Sequence, residues 1–503
     1  MQTGCFQPSP CILVIFGATG DLTSRKLIPA LYNLNKSGKL PSSFACVAFA
    51  RRDKTDEIFK EELSESLAKT SSKEIDFKAW NDLKNRIFYH RSSFDDPSGY
   101  IGLKIFLEKL DITEKTKGNR IFYFSTPPKY FPEIIKNLKD HNLIYDSEKE
   151  KNKWSRIVVE KPFGRDLQTA KELQRNINDN IKESEIYRID HYLGKETVQN
   201  ILTLRFSNMI FESFWNHHFI DHVEITVSES IGIGTRGNLF EEAGILKDMI
   251  QNHMMQLLSL TAMEPPSGLE SESIKKQKVS VLNAIKPIVE KDSFPVVRGQ
   301  YASGSVNGIS VKGYREENDV SPSSIVETYA ALKLEIDNPR WKNVPFYLRS
   351  GKRLNSKRSE IAIFFKKAPY NLFPNQKSCP QNDLFIIRVQ PDEGAALQIY
   401  CKIPGTTNLL KPVRMDFRYD GYFEITAPEA YEKLLYDCMC GDRTLFTGQE
   451  EVMASWKLFT PVIERWQNDT SDTKDFPNYA AGSSGPKEAD QLINRDERCW
   501  LPL

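Results

Sequence analysis

Hydrophobic and polar positions follow two different rhythms along this chain. Up to about residue 190, short continuous apolar runs alternate with stretches whose apolar residues recur every three or four positions. The runs "CILVIFGA" (11–18), "FACVAFA" (44–50), "RIFYFST" (120–126) and "WSRIVVEKPFG" (154–164) are rich in β-branched and aromatic residues, as buried parallel strands are. After the first run, Leu27, Ile28, Leu31 and Leu34 fall at helical spacing, with Asp21 and Thr23 placed to cap the start. Residues 54–70 read as a charged helix and 127–143 as a turn leading into a helix. This alternation predicts a parallel, doubly wound α/β domain over residues 1–190.

Residues 191–503 keep another rhythm. A helix beginning near Lys195 and Thr197 precedes the alternating runs 222–230, 329–336, 359–366, 383–391 and 395–403. Few long helices separate the later runs, so an α+β C-terminal domain with a large, mainly antiparallel sheet is expected. One long amphipathic helix is predicted over 244–263, "GILKDMIQNHMMQLLSLTAM". The stretch 344–358, "VPFYLRSGKRLNSKR", reads on its own as an exposed basic loop, and residues 468–490, rich in Gly, Ser and Asp, as a further loop.

The length of 503 residues favours two domains. Lys and Arg number 68 against 67 Asp and Glu, a balance that argues against nucleic acid or an anionic membrane as the main partner. Anion binding must therefore come from local clusters. The eight cysteines form no C-x-x-C pair, which predicts reduced, packing thiols in a cytoplasmic protein and no metal site. No apolar stretch approaches the roughly 18 residues of a membrane span. The run at 11–18 lacks a basic leader, so it reads as a strand and not as a signal sequence.

The unit "VIFGATGDL" is strand, glycine turn and helix. Gly17 and Gly20 permit a tight turn that brings backbone against a pyrophosphate, whose charge a helix N-terminus favours. Alone, G-x-x-G serves structure about as often as it serves a nucleotide. Its place after the first strand of an alternating sheet favours a Rossmann-like dinucleotide site. An NAD site normally carries an acidic residue at the end of the second strand; here Arg51 and Arg52 stand there, followed by Asp53. A guanidinium suits a 2′-phosphate and predicts NADP as cofactor, although paired surface arginines are commonly just solvated. A P-loop is excluded, because the sequences around Gly194-Lys195 and Gly351-Lys352 lack its first glycine and its Ser/Thr.

Residues 188–196, "RIDHYLGKE", gather Arg188, Asp190, His191, Tyr192, Lys195 and Glu196 in a chain with only seven histidines. A solvated charged segment fits that composition, and so does an anion site beside a proton-transfer group. Glu160 and Lys161 close a strand just before Pro162, at the edge where doubly wound sheets bind ligands, though a salt-bridged loop lysine fits as well. His253 lies on the apolar stripe of its helix, a place taken more often by packed histidines than by catalytic ones. Asp248 and Asn252, at i and i+4, lie on a neighbouring face. Arg349, Lys352, Lys357 and Arg358 form a further cluster of cations. Taken together, these groups suit a small dianion such as a sugar phosphate, beside a histidine base backed by a carboxylate.

The motifs "FGATGDL", "EKPFG", "RIDHYLGKE", "KDMIQNH" and "VPFYLRSGKRL", in this order over nearly the whole chain, resemble the glucose-6-phosphate dehydrogenase family. The nine-residue stretch is close to diagnostic; the glycine turn and E-K-P occur in other sugar dehydrogenases too. The resemblance implies hydride transfer from C1 of β-D-glucose 6-phosphate to NADP⁺, the first oxidative step of the pentose phosphate pathway, without a metal. It implies that His253 removes the C1 hydroxyl proton and that Asp190 orients and charge-balances His253. It further implies that His191, Tyr192 and Lys195 bind the phosphate, that Lys161 sits between substrate and nicotinamide, and that Glu229, Asp248, Lys352 and Lys357 face the sugar. Gly17, Ala18, Thr19, Gly20, Asp21, Leu22, Thr23, Ser24, Arg51 and Lys161 would hold the cofactor. Thr19 stands where many members have Ser, and Lys357, beside Arg358, where some have Arg. A homodimer or homotetramer is implied in the same way. Two other readings stay open: a related NADP-dependent sugar dehydrogenase, and a catalytically inactive NADP sensor.

Overall fold

The structure is a computed structural model and describes residues 8–503 apart from 72–73, 146–149, 151, 290–293, 371–381, 406–408, 423–427 and 469–470. The chain forms two compact units. The first comprises Met1–Gly194, Leu269–Lys275 and Pro428–Val452; the second comprises Lys195–Gly268, Lys276–Ala427 and Met453–Leu503.

In the first unit, strands β1 (Cys11–Phe16), β2 (Phe44–Ala50), β3 (Ile87–Arg91), β4 (Arg120–Phe124), β5 (Ser155–Val159) and β6 (Ile186–Ile189) lie in the order β6-β5-β4-β1-β2-β3. These neighbours are all parallel. The order reverses between β1 and β4, the switch point beyond whose strand ends a doubly wound sheet opens a crevice. Every residue of β1 and β2 is buried, which is why both runs are continuously apolar instead of alternating. β3 escapes the apolar pattern because it is an edge strand, with only Ile87 of "IFYHR" buried. A seventh strand, Phe446–Thr447, arrives from far along the chain and pairs antiparallel with β6.

The charged helix runs from Asp56 to Thr70, and the Thr55 hydroxyl caps it by accepting the Ile58 N–H. The helix after β1 departs from expectation, since neither Asp21 nor Thr23 caps it. Thr23–Leu27 form a π-helical turn that continues as α1 (Ile28–Lys36). Thr23 already lies inside that turn, buried, while Asp21 pairs with Arg25 at 3.4 Å on the surface. Leu27, Ile28, Leu31 and Leu34 pack with the alternate β1 residues Cys11, Leu13 and Ile15 in one core, as two-residue strand periodicity requires.

The second unit holds an eight-stranded sheet. Its order is Leu410–Arg418, Gly394–Lys402, Leu384–Gln390, Arg358–Phe365, β7 (Ile220–Ser228), Pro345–Gly351, Tyr329–Glu335 and Val296–Gly299. All pairings are antiparallel except that of β7 with Pro345–Gly351. The first half of the basic stretch is therefore a buried central strand and not an exposed loop. Its Arg349 is satisfied inside the protein by the Thr226 hydroxyl at 3.0 Å, the Leu501 carbonyl, and the Trp500 ring 4.6 Å away.

The helix expected over 244–263 is broken. Gly244 has φ of +64° inside the helix Gly237–Ile245, Leu246–Met254 are π-helical, and Met255–Ala262 are α-helical. Within 468–490, Tyr479–Ala480 pair in parallel with Tyr301–Ala302, and a helix begins at Lys487. Cys11, Cys46, Cys401, Cys438 and Cys440 are free. Cys499 is disulfide-bonded, a correction to the all-reduced expectation, because sequence spacing does not record which thiols meet in space. Cys5 and Cys379 lie outside the described residues.

Candidate active-site residues

The glycine turn sits at the switch point of the first sheet. The Gly17 N–H donates to the Phe49 carbonyl at 3.0 Å, and the Gly20 N–H to the Gly17 carbonyl at 2.9 Å. Gly17 has φ of +79°, and a Cβ there would lie 2.4 Å from the Ser125 carbonyl oxygen just beyond β4. Only glycine lets the two strand ends come so close. Thr19 and Gly20 are half-buried, Ala18 is buried, and Leu22 and Ser24 are half-buried at the start of the helix.

Arg51 and Arg52 follow β2 and are exposed. Their backbone is pinned by the Tyr89 hydroxyl, which donates to the Arg52 carbonyl at 2.7 Å. Asp53, the residue that complicates an NADP reading, faces the guanidinium of Arg91 at 2.8 Å. A close backbone turn with two guanidinium groups at the next strand end fits a dinucleotide that carries an extra phosphate.

Glu160 and Lys161 follow β5, and Asp190 follows β6, so all three stand at the C-terminal edge of the parallel sheet. Glu160 accepts hydrogen bonds from the Tyr123 hydroxyl at 2.5 Å and the Tyr431 hydroxyl at 3.1 Å. Burial pushes its carboxyl up, against the pull of those two donors and of Lys161. The sequence puts Glu160 at this strand end but leaves its part open. Its tyrosine partners left no signal, since Tyr431 comes 271 residues later.

Asp190 is 5% exposed and accepts the Tyr192 N–H at 2.9 Å, an Asx turn that fixes the loop carrying His191 and Tyr192. The His191 and Tyr192 rings meet edge-on at 5.1 Å. Arg188 is engaged elsewhere: buried, it makes a fork to Glu183 at 2.7 and 2.8 Å and bonds Gln174 at 2.7 Å.

In the second unit Lys195 stands at the N-cap of the helix Glu196–Phe206, its ammonium against the side-chain oxygen of Gln390. Asp248 lies in the first turn of the π-helix, and His253, 1% exposed, near its end. A π-helix closes its turns at i→i+5, so Asp248 and His253 stand one turn apart, in place of the expected i, i+4 pairing of Asp248 with Asn252. The Asn252 amide instead donates to the Lys247 carbonyl at 2.8 Å.

The Lys352 ammonium donates to Glu229 at 2.5 Å and lies 5.2 Å from the centre of the Phe240 ring. Lys357 is exposed, while Arg358 donates to the Pro502 carbonyl at 2.8 Å.

The chain matches the family model "Glucose-6-phosphate dehydrogenase, NAD binding domain" over residues 14–200 and "Glucose-6-phosphate dehydrogenase, C-terminal domain" over residues 202–501. It belongs to the glucose-6-phosphate dehydrogenase family. Relatives carrying the name glucose-6-phosphate 1-dehydrogenase include one from Chlamydia pneumoniae, 60% identical over 98% of this chain and 96% of the relative. Another, from Bacillus subtilis, is 40% identical over 98% of this chain and 99% of the relative. A solved glucose-6-phosphate dehydrogenase in complex with its substrate glucose 6-phosphate superposes with a TM-score of 0.87, at 33% identity and 100% coverage of both chains. The Mycobacterium avium enzyme superposes with a TM-score of 0.82 at 30% identity, covering 99% of this chain and 100% of its own. The Rossmann-like first unit of this family binds a nicotinamide dinucleotide. Among the described residues, no helix is long and apolar enough to cross a membrane.

Proposed function

We propose that this chain transfers hydride from C1 of β-D-glucose 6-phosphate to NADP⁺, giving 6-phospho-D-glucono-1,5-lactone and NADPH. The observation that carries this is the full-length likeness, in sequence and fold, to a glucose-6-phosphate dehydrogenase bound to its substrate. Bound nicotinamide supplies the hydride acceptor. The protein's own groups do the rest.

His253 takes the C1 hydroxyl proton as the C1–H bond breaks, so that a carbonyl forms at C1. Asp190 is assigned the part of the carboxylate that keeps His253 in the accepting tautomer and balances its charge. His191, Tyr192 and Lys195 clamp the phosphate, using binding energy remote from C1 to hold the reacting bond in place. Lys161 would lie between substrate and nicotinamide, and Glu229, Asp248, Lys352 and Lys357 would contact the sugar. The residues from Gly17 to Ser24 would hold the pyrophosphate and Arg51 the 2′-phosphate, a choice supported by the engagement of Asp53 with Arg91. The working form is a cytoplasmic homodimer or homotetramer.

The test is nicotinamide reduction by purified protein, with NADP⁺ and NAD⁺ in parallel, on glucose 6-phosphate, glucose and 6-phosphogluconate. Rapid reduction of NADP⁺ by glucose 6-phosphate alone is expected. Turnover of glucose at the same rate would point to another sugar dehydrogenase. NADP⁺ binding without turnover of any substrate would mark an inactive sensor.

A further inference from the structure

Glu327 and Thr328 lie immediately before the strand Tyr329–Glu335, outside every motif that carries the family likeness. The Thr328 carbonyl accepts the Lys352 N–H at 3.0 Å, and the Glu327 carbonyl accepts the Ile245 N–H at 3.0 Å. Oε1 of Glu327 accepts the N–H of Leu246 at 3.2 Å. Leu246 is the first residue of the π-helix that carries Asp248 and His253. Gly244 permits this approach, because a Cβ there would lie 2.2 Å from Glu327 Oε1. The segment is itself held from behind. Buried Gln300 donates to the carbonyls of Ser324 and Val326 at 3.0 and 2.9 Å, and the Ser324 hydroxyl donates to Glu241 at 2.7 Å.

The first amides of any helix lack acceptors within it, and a π-helix, bonding at i→i+5, is an uncommon state that needs support from outside. An acceptor fixed at that end decides where the first turn starts. It thereby sets the direction of every side chain that follows.

We propose that Glu327 is a positioning residue for hydride transfer, setting the rotational register of Leu246–Met254 and so aiming Asp248 and His253 relative to Lys352. The inference rests on the functional reading above. Glu327 acts through the helix and the adjoining Thr328–Lys352 bond, and its effect therefore falls on the chemical step more than on ligand affinity.

The test is steady-state kinetics of the full chain with glucose 6-phosphate and its C1-deuterated form, together with NADP⁺ affinity. Glu327→Ala is expected to lower kcat by about 10- to 100-fold, keep KM within about threefold, and raise the deuterium isotope effect. Glu327→Gln keeps an oxygen acceptor for Leu246 and is expected to restore most of kcat. NADP⁺ affinity should be unchanged in both. A parental kcat and isotope effect in Glu327→Ala would overturn the proposal, whatever the melting temperature. So would a loss shared equally by NADP⁺ binding and not restored in Glu327→Gln. Should Glu327→Ala fail to fold, Gly244→Ala, whose methyl displaces the carboxylate from Leu246, decides on the same criteria. Inactivity of the parent chain toward glucose 6-phosphate would overturn the functional reading instead, and would be seen before any substitution is made.

Discussion

Lys352 donates its ammonium to Glu229 at 2.5 Å, with the lysine side chain 2% exposed and the glutamate 28% exposed. The lysine is fixed at its backbone too, through the Thr328 carbonyl at 3.0 Å and the Tyr479 hydroxyl at 2.8 Å. A cation held this way meets a ligand without a search for its rotamer. Lys352→Ala should therefore raise KM for glucose 6-phosphate by about 10- to 100-fold, the worth of one charge-assisted hydrogen bond at about 1.5–3 kcal/mol. KM for NADP⁺ should stay put. Equal rises in both constants would refute a sugar-facing role.

His253→Asn keeps a polar side chain and removes the imidazole proposed above as the base. Turnover is expected to fall by about 10²–10⁴-fold, with KM for glucose 6-phosphate little changed. Retained turnover with a large rise in KM would assign His253 to binding alone.

Arg51, exposed at the end of β2, is the cation proposed above for a 2′-phosphate. Arg51→Ala should weaken NADP⁺ binding by about 10- to 100-fold, again the worth of a hydrogen-bonded charge, and leave NAD⁺ binding unchanged. Titration calorimetry with both dinucleotides separates the cases, and parallel weakening of the two would contradict the assignment.

His222 gives a pH prediction. It is buried in the second unit, with Nδ1 2.6 Å from Asp221 and Nε2 3.4 Å from Glu224. Its ring stacks 4.1 Å from Phe364 and meets Tyr347 edge-on. Burial opposes the charge, yet the hydrogen bonds and fields of the two carboxylates outweigh it and hold the imidazole above its usual value. The same carboxylates hold the chain end. Asp221 accepts a fork from Arg498 at 2.9 Å on each oxygen, and Glu224 accepts the Leu501 N–H at 2.9 Å. A raised folded-state value means that the stabilisation is fully present below the unfolded value of about 6.5 and is lost as pH climbs through the raised one. Urea midpoints should fall across that window, and His222→Gln should flatten the fall. A midpoint rising through the same window would count against the assignment.

Much of the fold was legible in the sequence. The runs at 11–18 and 44–50 had to be strands buried on both faces, and the helical spacing of Leu27, Ile28, Leu31 and Leu34 had to face them. Apolar periodicity reports which residues leave water, and that is settled locally. The five motifs likewise carried the family likeness without help from coordinates. The parts that any one charged residue plays were less legible. Arg349 and Arg358 look alike beside Lys352 in sequence, yet one is stacked on Trp500 and the other is bonded to the carbonyl of Pro502.

What the sequence determined by itself was the two-part architecture of sheets and the set of polar groups offered for chemistry. Only the tertiary structure decided that Pro345–Gly351 runs parallel to β7 in the heart of a sheet, that Phe446–Thr447 returns to the edge of the first, and that Leu246–Met254 wind as a π-helix. The physical reason is common to all three. A burial pattern does not say which distant backbone a strand will pair with, nor whether a turn closes at i+4 or i+5. Partners far away in sequence take part in those choices, as where the Leu246 amide donates to the carboxylate of Glu327, 81 residues on.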